Sequence, residues 1–316
     1  MTDIIILGVY VADAAYRTAR MPAVGETLLG TSFQLGPGGK GSNQAVAAAK
    51  AGGDVAFISR IGADTFGKMG RDVWAEAGVQ PLVIEDADVP TGSAGIFIEE
   101  ASGSNAIVIA PGASGLLSAA DVEARAEDIA GAKVALTQLE QPMDAAVRFL
   151  ELARASGVTT MLNPAPAAEL PDGMLALCDY ITPNESETEA LTGLPVTSVE
   201  EALLAARPLL AAGVSKGVVV TLGEAGSLYV DATQAIHTKP MNAGPVVDTT
   251  GAGDAFNGGL ATALSEGKAI KDALLFATAT AALCVTKHGT AASMGSRDQV
   301  EALLASASSD VSISLM

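Results

Sequence analysis

Apolar positions in this chain fall into short unbroken runs, separated by longer stretches in which they recur at helical spacing. The runs at Ile4–Val9, Val55–Ile61, Val134–Leu139, Thr159–Asn163, Tyr180–Thr182 and Gly217–Leu222 show no alternation of apolar and polar residues. That pattern predicts strands covered on both faces, as in a parallel sheet. Helices are predicted over Gly41–Ala51, Phe66–Ala77, Ala119–Ile129, Met143–Ser156, Val199–Ala212 and Asp254–Leu264. Strands alternating with helices give an α/β fold, a doubly wound and mostly parallel sheet flanked by helices with right-handed crossovers. With no internal repeat or low-complexity linker, residues 1–316 read as a single domain.

Two regions, about 13–35 and 89–109, interrupt this alternation with glycine-punctuated strand-like pieces and no helix. Such excursions are expected to pair as a small β flap, and a flap over the sheet's carboxyl edge would exclude water from a ligand. Ordinary surface hairpins fit the pattern equally well. The segment VVVTLGEAGSLYV at Val218–Val230 reads as strand, tight turn and strand.

Composition narrows the function. Hydrophobic residues at 49% and charged ones at 17% describe a globular chain. The net charge of -18 repels nucleic-acid backbones and anionic membranes, so neither is an expected partner. A phosphorylated ligand stays compatible with it, since backbone amides and a metal ion hold phosphate without a basic surface. Cys178 and Cys284 both lie in apolar stretches and read as reduced core thiols of a cytoplasmic protein. The opening IIILGVYVAD has no basic flank and reads as a buried strand, not a signal peptide; the apolar run from Ala273 is too short to span a bilayer.

Two glycine-rich stretches carry the candidate chemistry. In GPGGKGSNQA, glycines lead into a helix whose Asn43 offers both a donor and an acceptor to a hydroxyl. It is no Walker A loop, because Lys40 is followed by Gly41. In DTTGAGDAFNGG, the amides of Ala252, Gly253 and Asp254 are expected to face one concavity at a helix start. An acid there accepts a proton from a hydroxyl nucleophile while the amides hold the transferring group, the pair of parts phosphoryl transfer needs. Phe256 spoils a dinucleotide fingerprint, and a plain helix cap would explain the acid alone. Asn184 and Glu187, three apart in TPNESE, suit a hydrated Mg²⁺ but read more simply as a capping box.

The order of these stretches resembles the ribokinase family of carbohydrate kinases, within the phosphofructokinase-B superfamily, over nearly the whole chain. The resemblance rests on GGKGSNQA at Gly38–Ala45, TPNESE at Thr182–Glu187, Thr221-Leu222-Gly223, and DTTGAGDAF at Asp248–Phe256. It implies an ATP-dependent sugar kinase acting on a primary hydroxyl, with ribose, giving ribose 5-phosphate, the leading acceptor. Another sugar, a sugar acid or a nucleoside, or a non-catalytic sugar- or nucleotide-binding regulator, are the alternatives. Asp254 would be the catalytic base and the amides of Gly251, Ala252 and Gly253 the anion hole. Asp13, Val11, Gly39, Lys40, Gly41, Ser42, Asn43 and Glu140 would surround the sugar. Asn184, Gly253 and the Thr221, Leu222, Gly223, Glu224, Ala225, Gly226 turn would hold ATP. Asn184 and Glu187 would organise Mg²⁺, while Asp248, Thr250, Cys284, Lys287, Gly289 and Ser293 would surround a monovalent cation, K⁺. A homodimer through the flap is compatible with exposed strand edges.

One position departs from the family's pattern. Ribose-specific members usually read G-S-x-N-x-D in the first strand region, whereas this chain reads Gly8-Val9-Tyr10-Val11-Ala12-Asp13. Val11 stands where the Asn would be and offers no hydrogen bond, which leaves the sugar unnamed. Tyr10 and Tyr16 are candidate replacement hydroxyls. His237 and His288 read as non-catalytic, Trp74 and Phe66 as core, and Lys40 as a residue that shapes the glycine turn or pairs with an acid.

Overall fold

A computed structural model of the chain describes residues 2–306 and, as backbone, 311–315. Its strands are β1 (Ile4–Leu7), β2 (Val11–Thr18), β3 (Ser32–Gly38), β4 (Val55–Gly62), β5 (Gln80–Asp86), β6 (Thr91–Glu99), β7 (Asn105–Gly112), β8 (Val134–Thr137), β9 (Thr159–Leu162), β10 (Tyr180–Ile181), β11 (Gly217–Thr221), β12 (Ser227–Val230), β13 (Gln234–Thr238) and β14 (Val311–Leu315). The larger sheet runs β14-β13-β12-β11-β10-β9-β8-β1-β4-β5. From β11 to β5 every pairing is parallel, and β12, β13 and β14 add an antiparallel edge. This is the doubly wound α/β architecture that the apolar runs predict.

Strand β1 shows why those runs do not alternate. Ile4 and Ile6 enter the core on one face, Ile5 and Leu7 the core on the other, and all four are fully buried. Each such side chain contributes about 1.5–3 kcal/mol of burial. Helices Lys40–Lys50, Ala252–Ser265 and Ile270–Cys284 cover the first face. They pack closely because their contacts are small residues: a Cβ at Gly258 would lie 2.7 Å from Ala47 Cβ, and one at Gly259 2.6 Å from Thr280 Oγ1. That close approach brings the first turns of the helices at 40 and 252 together.

The second sheet runs β3-β2-β6-β7 and occupies the regions predicted as a flap, although its strands start at Val11 and extend to Gly38 and Gly112. Pairing in register gives it two unlike faces. Tyr16, Phe33, Leu35, Phe97 and Val108 share one, with Tyr16 and Phe33 rings 4.9 Å apart. Val11 and Asp13 share the other, where their cross-strand neighbours are Gly38, Gly36, Gly92 and Ala94. A floor of such small residues leaves room above it.

Three expectations are corrected. The helix predicted over Ala119–Ile129 is two pieces, Ala119–Glu123 and Ala126–Ala130; a tight Arg125-to-Val122 turn bond of 2.9 Å ends the first. Tyr10 does not face the flap but packs edge-on to Trp74 in the core, its hydroxyl donating to the Phe66 carbonyl at 3.0 Å. Tyr16 lies on the face of β2 opposite Asp13. Neither tyrosine replaces the missing amide at position 11.

Candidate active site

Asp254 lies in the first turn of helix Ala252–Ser265, which Gly251 opens with a φ of 84°. A side chain is strained in that left-handed region, and glycine is not. The amides of Gly253 and Asp254 have no acceptor among the described residues, and a Cβ at Gly253 would meet nothing within 4 Å. Two orphan amides therefore face open space beside a carboxylate. The Ala252 amide, expected to join them, instead donates to the Thr249 carbonyl at 3.2 Å.

The Asp254 side chain is buried and bound from helix Lys40–Lys50. Asn43 Nδ2 donates to its Oδ2 at 3.1 Å and Gln44 Nε2 to its Oδ1 at 3.0 Å. Asn43 Oδ1 is buried with no partner among the described residues, an acceptor left free for a ligand hydroxyl. Burial raises the Asp254 carboxyl, and the Lys40 charge and the two amide donors oppose the rise.

Asp13 and Glu140 complete an acidic wall. The Asp13 carboxyl is pushed up to about 6 by burial, with Glu140 and Asp254 adding repulsion. Its carboxylate occupies the space a Cβ at Gly38 would take. Burial also raises Glu140, which accepts from the Lys40 amide at 2.8 Å. Lys40 lines the cleft with Asp254 and Glu187, and its charge acts on both acids.

Ser42 turns away from the cleft, and Gly39 and Gly41 serve close packing. Ser42 is fully buried and its hydroxyl accepts from Trp74 Nε1 at 2.9 Å. A Cβ at Gly41 would lie 2.7 Å from Gly8 Cα and one at Gly39 2.6 Å from the Val9 carbonyl; both glycines let the helix start abut the end of β1. Gly39 has a φ of 88°.

On the opposite wall, Asn184 and Glu187 form the capping box of helix Glu185–Thr192 and also line the cleft with Thr221. Asn184 Oδ1 accepts from the Glu187 amide at 2.8 Å, and Glu187 Oε2 accepts from the Asn184 amide at 2.9 Å. Glu187 keeps its second oxygen free of any hydrogen bond among the described residues, and burial raises its carboxyl. The turn after β11 carries Gly223, Glu224 and Ala225 in one 3₁₀ turn, closed by a bond from the Leu222 amide to the Gly226 carbonyl at 2.8 Å. Leu222 itself points into the core. His237 contacts the Ala225 carbonyl at 2.7 Å from β13.

Asp248 clasps two loops behind the helix start. Its Oδ1 accepts from the Thr250 amide at 2.9 Å and its Oδ2 from the Gly289 amide at 3.2 Å. Burial would raise this carboxyl, but those amide bonds carry it below its usual value. Cys284 Sγ lies 3.0 Å from Ser293 Oγ and 3.8 Å from the Thr250 carbonyl. The Lys287 amide donates to the Cys284 carbonyl at 3.3 Å. His288 is exposed, 3.8 Å from Asp248.

The pattern of the pfkB family carbohydrate kinases matches residues 1–297. The chain belongs to this family. Ribokinase of Haemophilus influenzae is 40% identical over 295 residues, covering 93% of this chain and 95% of that protein. Deoxyribokinase of Salmonella typhi is 36% identical over 299 residues, covering 94% and 97%. The structure of Arabidopsis thaliana ribokinase complexed with ribose and ATP aligns with a TM-score of 0.89 at 32% identity, over 96% of this chain and 98% of that one.

In this carbohydrate kinase, several polar residues of the site escape motif reading. Gln138 and Asn163, on two separate elements, bond Gln44, which donates to Asp254, while Asn257 on Asp254's own helix donates to the Gly253 carbonyl. For Gln44 the signal was present: an amide inside the otherwise small and apolar run NQAVAAA needs a partner once buried.

Proposed function

We propose that this carbohydrate kinase transfers the γ-phosphoryl group of ATP to the primary hydroxyl of ribose, giving ribose 5-phosphate and ADP. The observation that carries this reading is the buried Asp254 carboxylate beside two orphan amides at one helix start. As the hydroxyl oxygen attacks phosphorus and the bond to ADP breaks, Asp254 takes the hydroxyl proton. The Gly253 and Asp254 amides offset the charge on the transferring group. Base catalysis of this kind contributes about 10²–10⁴-fold, and positioning and charge stabilisation supply most of the remainder. The 40% identical ribokinase and the ribose–ATP complex with a TM-score of 0.89 support ribose and ATP.

Asp13, Asn43, Glu140 and the Gly39 turn hold the sugar in this reading, and the Thr221–Gly226 turn and Asn184 hold the nucleotide. Glu187, with a free carboxylate oxygen facing the cleft, and Asn184 would hold Mg²⁺ through its waters; the ion would neutralise phosphate charge. No cluster of three or more His, Cys, Asp or Glu among the described residues suits a metal held by the protein alone, which fits an ion shared with phosphates. The Asp248, Thr250, Cys284, Lys287, Gly289 and Ser293 loops are rich in carbonyl and hydroxyl oxygens and fit K⁺, which would fix the helix start. The four-stranded sheet serves as a lid, and its exposed Tyr16, Phe33 and Leu35 face would pair two copies as a homodimer. No helix among the described residues is long and apolar enough to cross a membrane, and we place the reaction in the cytoplasm.

A second acceptor, a deoxypentose, is favoured by Val11, which offers no partner to a sugar hydroxyl, and by the 36% identical deoxyribokinase. The test is ADP release with ribose, deoxyribose, hexoses, sugar acids and nucleosides, each with and without Mg²⁺ and K⁺. Turnover of ribose that requires Mg²⁺ and rises with K⁺ is expected. ATP binding without turnover of any acceptor would instead identify a regulator.

A further inference from the structure

Behind Asp254 lies a chain of buried amides whose orientations are fixed from one end. The Thr182 carbonyl can only accept, so the Asn163 group 3.0 Å from it is Nδ2. Asn163 Oδ1 then faces Gln44, and the Gln44 group 3.0 Å from it must be Nε2. Gln44 Oε1 in turn faces Gln138 and receives a bond from Gln138 Nε2 at 2.7 Å. With one Nε2 proton on Asn163, the other is aimed at Asp254 Oδ1. Asn43 meanwhile donates to Oδ2. Both carboxylate oxygens face N–H donors, and a proton on either would displace one of these bonds. Gln44 and Gln138 are fully buried, so solvent does not compete for the bond between them.

We propose that Gln44, locked in orientation by Asn163 and Gln138, is a positioning residue that holds Asp254 ionised and turned toward the acceptor hydroxyl. The inference rests on Asp254 as the base. Its distinctive consequence is directional. Burial favours the protonated acid, and the Lys40 charge and the two amide donors oppose this. With Lys40 and the neighbouring acids Asp13, Glu140 and Glu187 left in place, breaking the chain makes Asp254 harder to ionise. The acid limb of the kcat profile then moves to higher pH.

The test compares kcat against pH for the full chain and for Gln44→Met, which keeps length but removes the Nε2 donor without adding charge. It also includes Gln138→Leu, which removes one of the two bonds that orient Gln44. In both, kcat at neutral pH is expected to fall by about 10-fold or more, within the range a general base contributes, and the acid limb to rise by about one pH unit. The KM for ATP should stay near that of the parent. Thr262→Val, which loosens the same two helices by removing a 3.1 Å bond to the Ala48 carbonyl, should leave the limb in place. If Gln44→Met does not fold, Gln138→Leu decides. An unshifted limb in the folded variants, even with lower kcat, would overturn the proposal while leaving Asp254 as base. Undiminished turnover in Asp254→Asn would overturn the base assignment itself.

Discussion

Val11 packs into a notch that Gly92 leaves open, so that a Cβ at Gly92 would lie 2.9 Å from Val11 Cγ1. The two are register partners across β2 and β6, and Val11 is only 5% exposed on the face that also carries Asp13. Position 11 therefore offers the site a methyl and no hydrogen-bonding group. With no partner at position 11 for a sugar hydroxyl, ribose and deoxyribose should differ by less than about 10-fold in kcat/KM. Val11→Asn should widen that ratio in favour of ribose by about 10-fold or more, because a deoxy sugar would leave the new amide unpaired. Parallel kcat/KM measurements on the two sugars check this.

Gly253 separates fold from function. Nothing lies within 4 Å of the Cβ that alanine would add there, and the residue is in the helix's first turn. Alanine favours a helix over glycine by up to about 1 kcal/mol. Gly253→Ala should therefore raise Tm in the absence of ligands. Its methyl would nevertheless stand where the transferring phosphoryl is proposed to sit, and kcat should fall by about 10²-fold or more. Calorimetry and turnover on one preparation measure both.

Burial of the Asp13 carboxyl destabilises the free protein at neutral pH. The carboxyl is raised to about 6, while in the unfolded chain it titrates near ~3.9. Between those values the folded protein holds more protons than the unfolded one, so this group's contribution falls as pH rises through the window. Asp13→Asn should raise stability at neutral pH by about 1–3 kcal/mol and flatten its decline from pH ~4 to ~6. The KM for sugar should rise. Denaturant melts at several pH values check the sign.

How much of this was legible in the sequence depended on how local each feature is. Asp254, Gly251 and Gly253 sit within four residues, and the geometry of a helix start follows from that spacing. The parallel strands were legible because burial on both faces leaves no polar position in β1 and only Thr137 in β8. Edge strand β5, with Pro81 and exposed Gln80, carries no such run and was missed. Helix Ile270–Cys284 is buried around most of its circumference, so small apolar residues hide its period. The direction of Tyr10 was not legible, because it depends on Trp74 and Phe66 on another helix. The link from Asn163 through Gln44 to Asp254 joins residues 119 and 210 positions apart; only the folded chain brings those amides together.

The central claim is that Asp254 takes the proton of the acceptor hydroxyl during phosphoryl transfer. Its most direct measurement is kcat for Asp254→Asn with ribose and ATP, read beside the dissociation constants of both ligands. A fall of about 10²–10⁴-fold in kcat is expected, with ATP binding close to that of the parent chain. Turnover undiminished by the substitution, with both ligands bound as before, would contradict it.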